Sequence, residues 1–285
     1  MTTSDIDRWT TLVDAESLVG RLQSDDVRVF DCRFALNDTA IGEIAWGEAH
    51  LPGAQYAHLV RNLSGPHLAG AGRHPWPGVD AFCGWLGRCG VTTETQVVAY
   101  DAGDGAFAAR LWWLLRTLGH RNVAVLDGGW ARWTALGMPT SHALPALSPT
   151  NYAGAFDAGR LLDATDIQAR LAAGDVLIDA RAAERFRGEV EPIDRVAGHV
   201  PGAVNRPYAA NLSDGRFRSA LQLAEEYAAL LDGRDPRRAI AMCGSGVTAC
   251  HHLLAMAHAG LPGARLFTGS WSGWIEDPAR PVATS

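Results

Sequence analysis

Short apolar runs alternate along this chain with polar turns and with stretches whose apolar residues recur at helical spacing. Ala239 to Met242 is such a run, and it predicts a buried strand because strands of this kind are short, apolar and followed by glycine-rich punctuation. From Val247 onward, VTACHHLLAMAHAG has the apolar spacing of a helix that stops at Gly260. Earlier, residues 12–33 (LVDAESLVGRLQSDDVRVFDCR) read as an amphipathic helix, a polar turn and an apolar strand ending at Asp31. Residues 161–181 (LLDATDIQARLAAGDVLIDAR) repeat that rhythm and end their strand at Asp179. Strands separated by helices predict an α/β fold, with one mainly parallel sheet flanked by helices in each half.

The repetition extends to words as well as rhythm. AHLPGA (49–54) matches GHVPGA (198–203), VVAYDAGDGAFAARLWWLL (97–115) matches IAMCGSGVTACHHLLAM (240–256), and VLDGGWARW (125–133) matches LFTGSWSGW (266–274). The order of the matched blocks is the same in both halves. Asp101 lies 27 residues before Gly128 and Cys243 lies 26 before Gly269, so the internal spacing is kept and a duplication is expected. Between the halves, residues 138–154 (MPTSHALPALSPTNYAG) lack periodicity and read as a linker. The expected boundaries are a first domain at 1–140, a linker at 141–156 and a second domain at 157–285.

Composition narrows the chemistry. The chain has 285 residues, 47% of them hydrophobic, enough for two domains of ordinary size. Its net charge of −6 comes from interspersed charges, which points away from nucleic acid and lipid surfaces. All 25 basic residues are arginine, so Schiff-base chemistry and a lysine-bearing phosphate loop are excluded. Any substrate carboxylate must be held by arginine or backbone. The five cysteines (32, 83, 89, 243 and 250) show no paired metal-ligand spacing and suit a reducing cytosol. MTTSDIDRWT carries no basic segment followed by an apolar stretch, and no run approaches the ~18 apolar residues that span a membrane. A cytoplasmic protein is expected.

The chemistry-bearing stretch is the loop after residue 242. Cys243 stands at the carboxyl end of the strand, and Gly244 to Thr248 are small or β-branched. Gly244 and Gly246 let the backbone curl its N–H groups inward, and Ser245 and Thr248 add hydroxyls. Such a cradle at a helix N-terminus favours a thiolate, the nucleophilic form of cysteine. CGSGVT resembles the active-site loop of the rhodanese superfamily, specifically its mercaptopyruvate sulfurtransferase branch. The tandem arrangement, the histidine-proline-glycine words and the Gly-Ser-Trp near the end are similar to that family over nearly the whole chain. The resemblance implies two tandem rhodanese-like domains, the second catalytic, with Cys243 carrying sulfur as a persulfide.

It also assigns expected roles. Asp101 replaces the cysteine in the first half, where a carboxylate cannot accept sulfur and repels an anionic donor, so that half is expected to be noncatalytic and to cover the catalytic loop. GRHPWP (72–77) resembles the region where mercaptopyruvate enzymes place a histidine beside the site, here His74. Arg185 matches the family's R-F-x-G word and is the first candidate for a substrate carboxylate, which arginine holds bidentately. Arg195 is the second. Gly244, Gly246 and Val247 complete the loop. Family members often carry acids after HLPGA where this chain has Val60, Arg61 and Asn62. Cys250, His251 and His252 read as packing, since adjacent histidines point around different sides of a helix.

The expected reaction moves sulfur from 3-mercaptopyruvate through Cys243 to a thiol, cyanide or thioredoxin-like acceptor. Ser245, Thr248 and the loop amides stabilise charge, and no metal or organic cofactor is called on. Thiosulfate is the alternative donor, though the enzymes that use it carry basic residues inside the loop and Gly244, Ser245 and Gly246 are neutral. A cysteine phosphatase is excluded because its loop ends in an arginine where this chain has Ala249. A persulfide-carrying binding module with little turnover is the third reading. A monomer is expected, because the covering domain is already within the chain.

Overall fold

The computed structural model describes residues 8–285. Residues 1–7, on which part of the leader reading rests, lie outside the described residues. The first half builds five strands, β1 (Leu12–Val13), β2 (Val27–Asp31), β3 (Gln55–Tyr56), β4 (Gln96–Tyr100) and β5 (Val123–Leu126). They form one sheet in the order β1-β5-β4-β2-β3 with every pairing parallel. Its helices are α1 (Ala15–Val19), α2 (Ile41–Glu48), α3 (Val79–Arg88), α4 (Ala108–Thr117) and α5 (Gly129–Ala135). Every residue of β4 and β5 is buried, as the continuous apolar runs of a parallel sheet require.

The second half repeats the plan with β6 (Leu161–Leu162), β7 (Val176–Asp179), β8 (Val204–Asn205), the hairpin β9 (Leu212–Ser213) and β10 (Arg216–Phe217), β11 (Ala239–Met242) and β12 (Arg265–Phe267). Its main sheet runs β6-β12-β11-β7-β8, again all parallel and position for position the order of the first. The helices are α6 (Ala164–Ala172), α7 (Ala183–Phe186), α8 (Ala220–Leu231), α9 (Ala249–His258) and α10 (Ser270–Trp274). Each half has its own core. Trp133, Leu18 and Tyr100 are central to one, and Trp271, Trp274 and Phe267 to the other.

The repeated words are structural clasps. Asp31 and Asp179 each end a central strand and take the guanidinium of the arginine two residues on, Arg33 at 2.6 Å and Arg181 at 2.7 Å. Both arginines lie over a tryptophan, Arg33 4.5 Å from the Trp130 ring centre and Arg181 4.7 Å from that of Trp271. His50 and His199, from the two H-x-P-G-A words, form β-bridges to Ser141 and Ala283. Trp133 and Trp274 each donate an indole N–H to a carbonyl in the chain beyond their helix, Pro139 at 2.8 Å and Pro281 at 2.9 Å.

Contacts divide the chain into one unit of residues 1–58 and 79–155 and another of 59–78 and 156–285. This differs from a single cut in two ways. Residues 59–78, which sequence order puts in the first half, pack with the second unit. The stretch read as a linker is not loose, being tied to the first unit by Ser141 to His50, by the Thr150 N–H to the Gly87 carbonyl at 2.8 Å and by the Thr150 hydroxyl to Val91 at 2.6 Å. No helix of the described residues is long and apolar enough to cross a membrane.

Candidate active site

β11 is buried along its whole length, and it delivers Cys243, 2% exposed, at its carboxyl end. The helix that follows begins at Ala249, two residues later than Val247, because Val247 and Thr248 are still spent on the loop. Gly246 holds a positive φ of 75° within it. The loop rests on the start of α10: the N–H groups of Trp271 and Ser272 donate to the carbonyls of Cys243 at 3.0 Å and Gly244 at 2.8 Å. From below, the Cys243 N–H donates to the Ser270 hydroxyl at 3.1 Å, which itself donates to the Phe267 carbonyl at 2.9 Å. Ser270 holds this position at φ 49°, a left-handed conformation unusual for a residue with a Cβ.

The first unit shows what such a loop binds. Asp101 occupies the place of Cys243, and its carboxylate accepts N–H groups from Gly103 (3.1 Å), Gly105 (2.9 Å), Phe107 (2.9 Å) and Ala108 (3.0 Å). This is an anion nest filled by the chain itself. Burial and the neighbouring Asp104 push that carboxyl up to about 6, against the pull of the Ala108, Gly105 and Phe107 N–H groups. In the second unit Cys243 stands at the matching strand end, ahead of α9.

Ser245 is buried and its hydroxyl lies 2.8 Å from Nδ1 of His74, so the GRHPWP histidine does reach the loop. It does so as part of the second unit. The segment docks without acids at positions 60 and 62: Gly70 and Gly72 donate N–H groups to the Glu276 carboxylate, and the Arg73 N–H donates to the Ser272 hydroxyl at 3.1 Å. Gly72 has φ 75°, and a Cβ there would lie 2.5 Å from the Gly269 carbonyl oxygen, so no other residue fits. Val247 is buried, and Thr248 precedes α9 without making a side-chain cap.

Arg185, on α7, brings its guanidinium beside Gly244, 3.8 Å from where a Cβ would stand. Glu191 holds it at 2.6 Å and Asp194 at 3.3 Å. Burial pushes the Glu191 carboxyl up, but the Arg185 bond and the Ile193 and Asp194 amides more than offset this and leave it below the usual carboxylate value. Asp194 ends above its usual value because burial outweighs the pull of Arg73 and Arg185. Arg195 is not brought to the loop, since its guanidinium donates to the Ile275 carbonyl. Arg181 belongs to the Asp179 clasp.

Two groups escaped the sequence reading. Arg73 stands with its guanidinium against Gly244 and paired to Asp194; the only signal was its place beside His74. Ser270 and Ser272 carried the Gly-Ser-Trp word, but nothing in their spacing says that they support the loop. Cys250, His251 and His252 are packing groups: His252 lies 2.6 Å from the Tyr227 hydroxyl and 2.8 Å from the Arg206 carbonyl, and the Cys250 thiol points to the Gly246 carbonyl at 3.4 Å. Among the described residues no group of three or more His, Cys, Asp or Glu is placed to hold a metal ion.

Known proteins share this architecture. A Pseudomonas aeruginosa protein named "Probable 3-mercaptopyruvate sulfurtransferase" is 50% identical over 277 residues, spanning 96% of this chain and 98% of its own. A Mycobacterium tuberculosis protein named "Putative thiosulfate sulfurtransferase SseB" is 42% identical over 282 residues, 96% of this chain and 97% of its own. The crystal structure of SseA from Escherichia coli, described as a 3-mercaptopyruvate sulfotransferase, matches with TM-score 0.79 at 30% identity and covers 93% of this chain and 100% of that one. The rhodanese-like domain pattern matches residues 14–136 and 163–277, one copy per sheet. The duplicated sheets, the two loops at their strand ends and these matches together make the chain a member of the rhodanese-like family, with two tandem copies of the domain.

Proposed function

We propose that the protein is a sulfurtransferase that takes sulfur from 3-mercaptopyruvate onto Cys243 and passes it to a thiol, cyanide or thioredoxin-like acceptor. The observation that carries this reading is a cysteine at the head of a glycine-rich loop with the Arg185 guanidinium beside it. The Cys243 thiolate attacks the donor sulfur, the sulfur–carbon bond breaks, and its electron pair leaves as the enolate of pyruvate, which then takes a proton. The product on the enzyme is a Cys243 persulfide. Arg185 holds the keto acid's carboxylate, and the loop amides with Ser245 and Thr248 steady the charge on sulfur and enolate. His74, hydrogen-bonded to Ser245, orients that hydroxyl. The acceptor thiolate attacks the outer persulfide sulfur and releases Cys243.

The neutral side chains of Gly244, Ser245 and Gly246 favour the keto acid over thiosulfate, a compact dianion better served by cations inside the loop. The five free, buried cysteines suit a reducing cytoplasm, and cell fractionation tests that placement. A monomer is the proposed state, to be checked by light scattering.

The purified protein is given 3-mercaptopyruvate or thiosulfate with a thiol acceptor, and pyruvate, sulfide and thiosulfate are followed beside Cys243→Ser. Pyruvate release that vanishes in Cys243→Ser, with one added sulfur on Cys243 by intact mass when no acceptor is present, is the expected result. Preference for thiosulfate overturns the donor. No turnover with either from folded protein leaves a persulfide-carrying binding module.

A further inference from the structure

We propose that Glu276 sets which acceptors reach Cys243, by latching residues 65–75 over the loop that follows this cysteine. The proposal deepens the sulfurtransferase reading and rests on it for the identity of the acceptors. Cys243 is 2% exposed, so a thiol borne by a protein cannot reach its sulfur until something moves aside. Residues 65–75 belong to the same unit and lie on the loop, where His74 Nδ1 is 2.8 Å from the Ser245 hydroxyl and Arg73 stands against Gly244.

This segment has a fixed base and a lightly held tip. The Gly65 N–H donates to the Pro75 carbonyl at 3.0 Å, which closes residues 65–75 into a loop with adjoining ends. Beside that closure Leu63, Pro75 and Pro77 are buried, and Trp76 meets the Phe156 ring edge-on at 5.5 Å. Residues 66–70, by contrast, are all exposed, Leu68 to 61%. A stretch that buries so little apolar surface is held by its hydrogen bonds and opens at low cost when they are lost.

Glu276 makes the bonds that matter at the tip. Its two carboxylate oxygens each take one N–H, from Gly70 and from Gly72. The tip can come this close because Gly273 lies beneath it: a Cβ there would stand 2.8 Å from the Gly70 carbonyl oxygen and 3.2 Å from the Gly72 nitrogen. Glu276 is itself partly exposed, so water competes for the same carboxylate and the latch is reversible. Attack by a bulky acceptor follows the open fraction, whereas donor binding follows the closed fraction, in which His74 meets Ser245. Loosening a mostly closed gate therefore raises the first in proportion and leaves the second nearly unchanged.

The test labels Cys243 with pyrene maleimide and with N-ethylmaleimide, read by peptide mass, in wild type, Glu276→Ala, Glu276→Gln, Gly273→Ala and Asp277→Asn. The two reagents share their chemistry and differ in bulk, so their rate ratio reads the gate independently of any sulfur donor. Loss of charge-assisted hydrogen bonds is expected to raise the pyrene-to-ethyl ratio about tenfold in Glu276→Ala. Glu276→Gln, which keeps one good acceptor oxygen, falls between. Gly273→Ala, which pushes the tip from its seat with Glu276 in place, rises as well, and Asp277→Asn matches wild type. After loading with 3-mercaptopyruvate, discharge to reduced thioredoxin is expected to quicken about tenfold in Glu276→Ala, with discharge to cyanide changed far less. An unchanged ratio in folded Glu276→Ala and Gly273→Ala, even with lowered stability, overturns the proposal, as does an equal rise in Asp277→Asn. A ratio that rises while discharge to thioredoxin stays at the wild-type rate overturns the role in acceptor choice. If the protein ignores 3-mercaptopyruvate, the labelling ratio still decides the latch, and the donor assignment is what fails.

Discussion

Ser270 ties the Cys243 backbone to the strand beside it, at the cost of a left-handed conformation. Gly129 holds the matching position in the first unit at φ 51°, where no hydroxyl is present. Both Ser270→Ala and Ser270→Gly remove the hydrogen bond to Cys243; alanine keeps the strained Cβ that serine already carries, whereas glycine relieves it. Chemical denaturation is therefore expected to place alanine about 1 kcal/mol below wild type and glycine close to wild type, since its lost bond is offset by about 1 kcal/mol of relieved strain. The reverse order contradicts a role for φ at this residue. His252 carries a second residue-scale prediction. Burial, with a smaller push from His251, holds its imidazole down at about 3. The unfolded chain then binds a proton that the folded one refuses, so this contribution is complete above about pH 6.5 and is lost as the pH falls. At pH 5 the loss is about 2 kcal/mol by that slope. Asp101, raised to about 6, acts in the opposite sense as the pH falls. The pH dependence of unfolding is therefore compared between wild type and His252→Gln, and a profile no flatter in the variant rules the assignment out.

At the scale of elements, the site is assembled from the end of β11, the starts of α9 and α10, the turn after α7 and the irregular segment 72–77. The strand ends were legible as apolar runs stopping at glycine or aspartate, and β2 and β7 end at Asp31 and Asp179 as read. Helix α9 begins two residues late, because apolar spacing does not register that Val247 is used by the loop while still buried. Segment 72–77 has neither helix nor strand, so no periodicity could announce where it packs. Gly72 is its hinge point. Gly72→Ala is expected to lift Arg73 and His74 from the loop and cut kcat/KM at least about tenfold, since the added methyl collides with backbone oxygen that cannot move aside. Circular dichroism should stay unchanged, because the sheets do not depend on the segment. Full activity in that variant sets aside the segment's role.

At the scale of the whole molecule, one domain plan is used twice with different chemistry. Both sheets have the same strand order, the same aspartate–arginine clasp over tryptophan and the same indole bonds to the chain beyond. What differs is the loop at the central strand's end. Residues 34–48, the counterpart of the Arg185 region, contain no arginine, so a cysteine alone is not expected to make the first loop turn over. The double variant Cys243→Ser/Asp101→Cys is therefore expected to release pyruvate at under about 1% of the wild-type rate, as loss of an orienting partner together with its charge implies. Recovery of turnover shows that the nest suffices by itself.

The sequence alone determined the duplication and the parallel α/β class, because both are written in local period and spacing, and it singled out Cys243 and Arg185 as candidates. It also made arginine the only cation available to a carboxylate. Tertiary structure decided which arginines stand beside the loop. Arg195 is 10 residues from Arg185 and Arg73 is 112 residues from it, yet Arg73 faces Gly244 and Arg195 bonds a carbonyl elsewhere. Contacts between distant segments depend on how loops close over a finished sheet, and no local pattern in the chain encodes that closure.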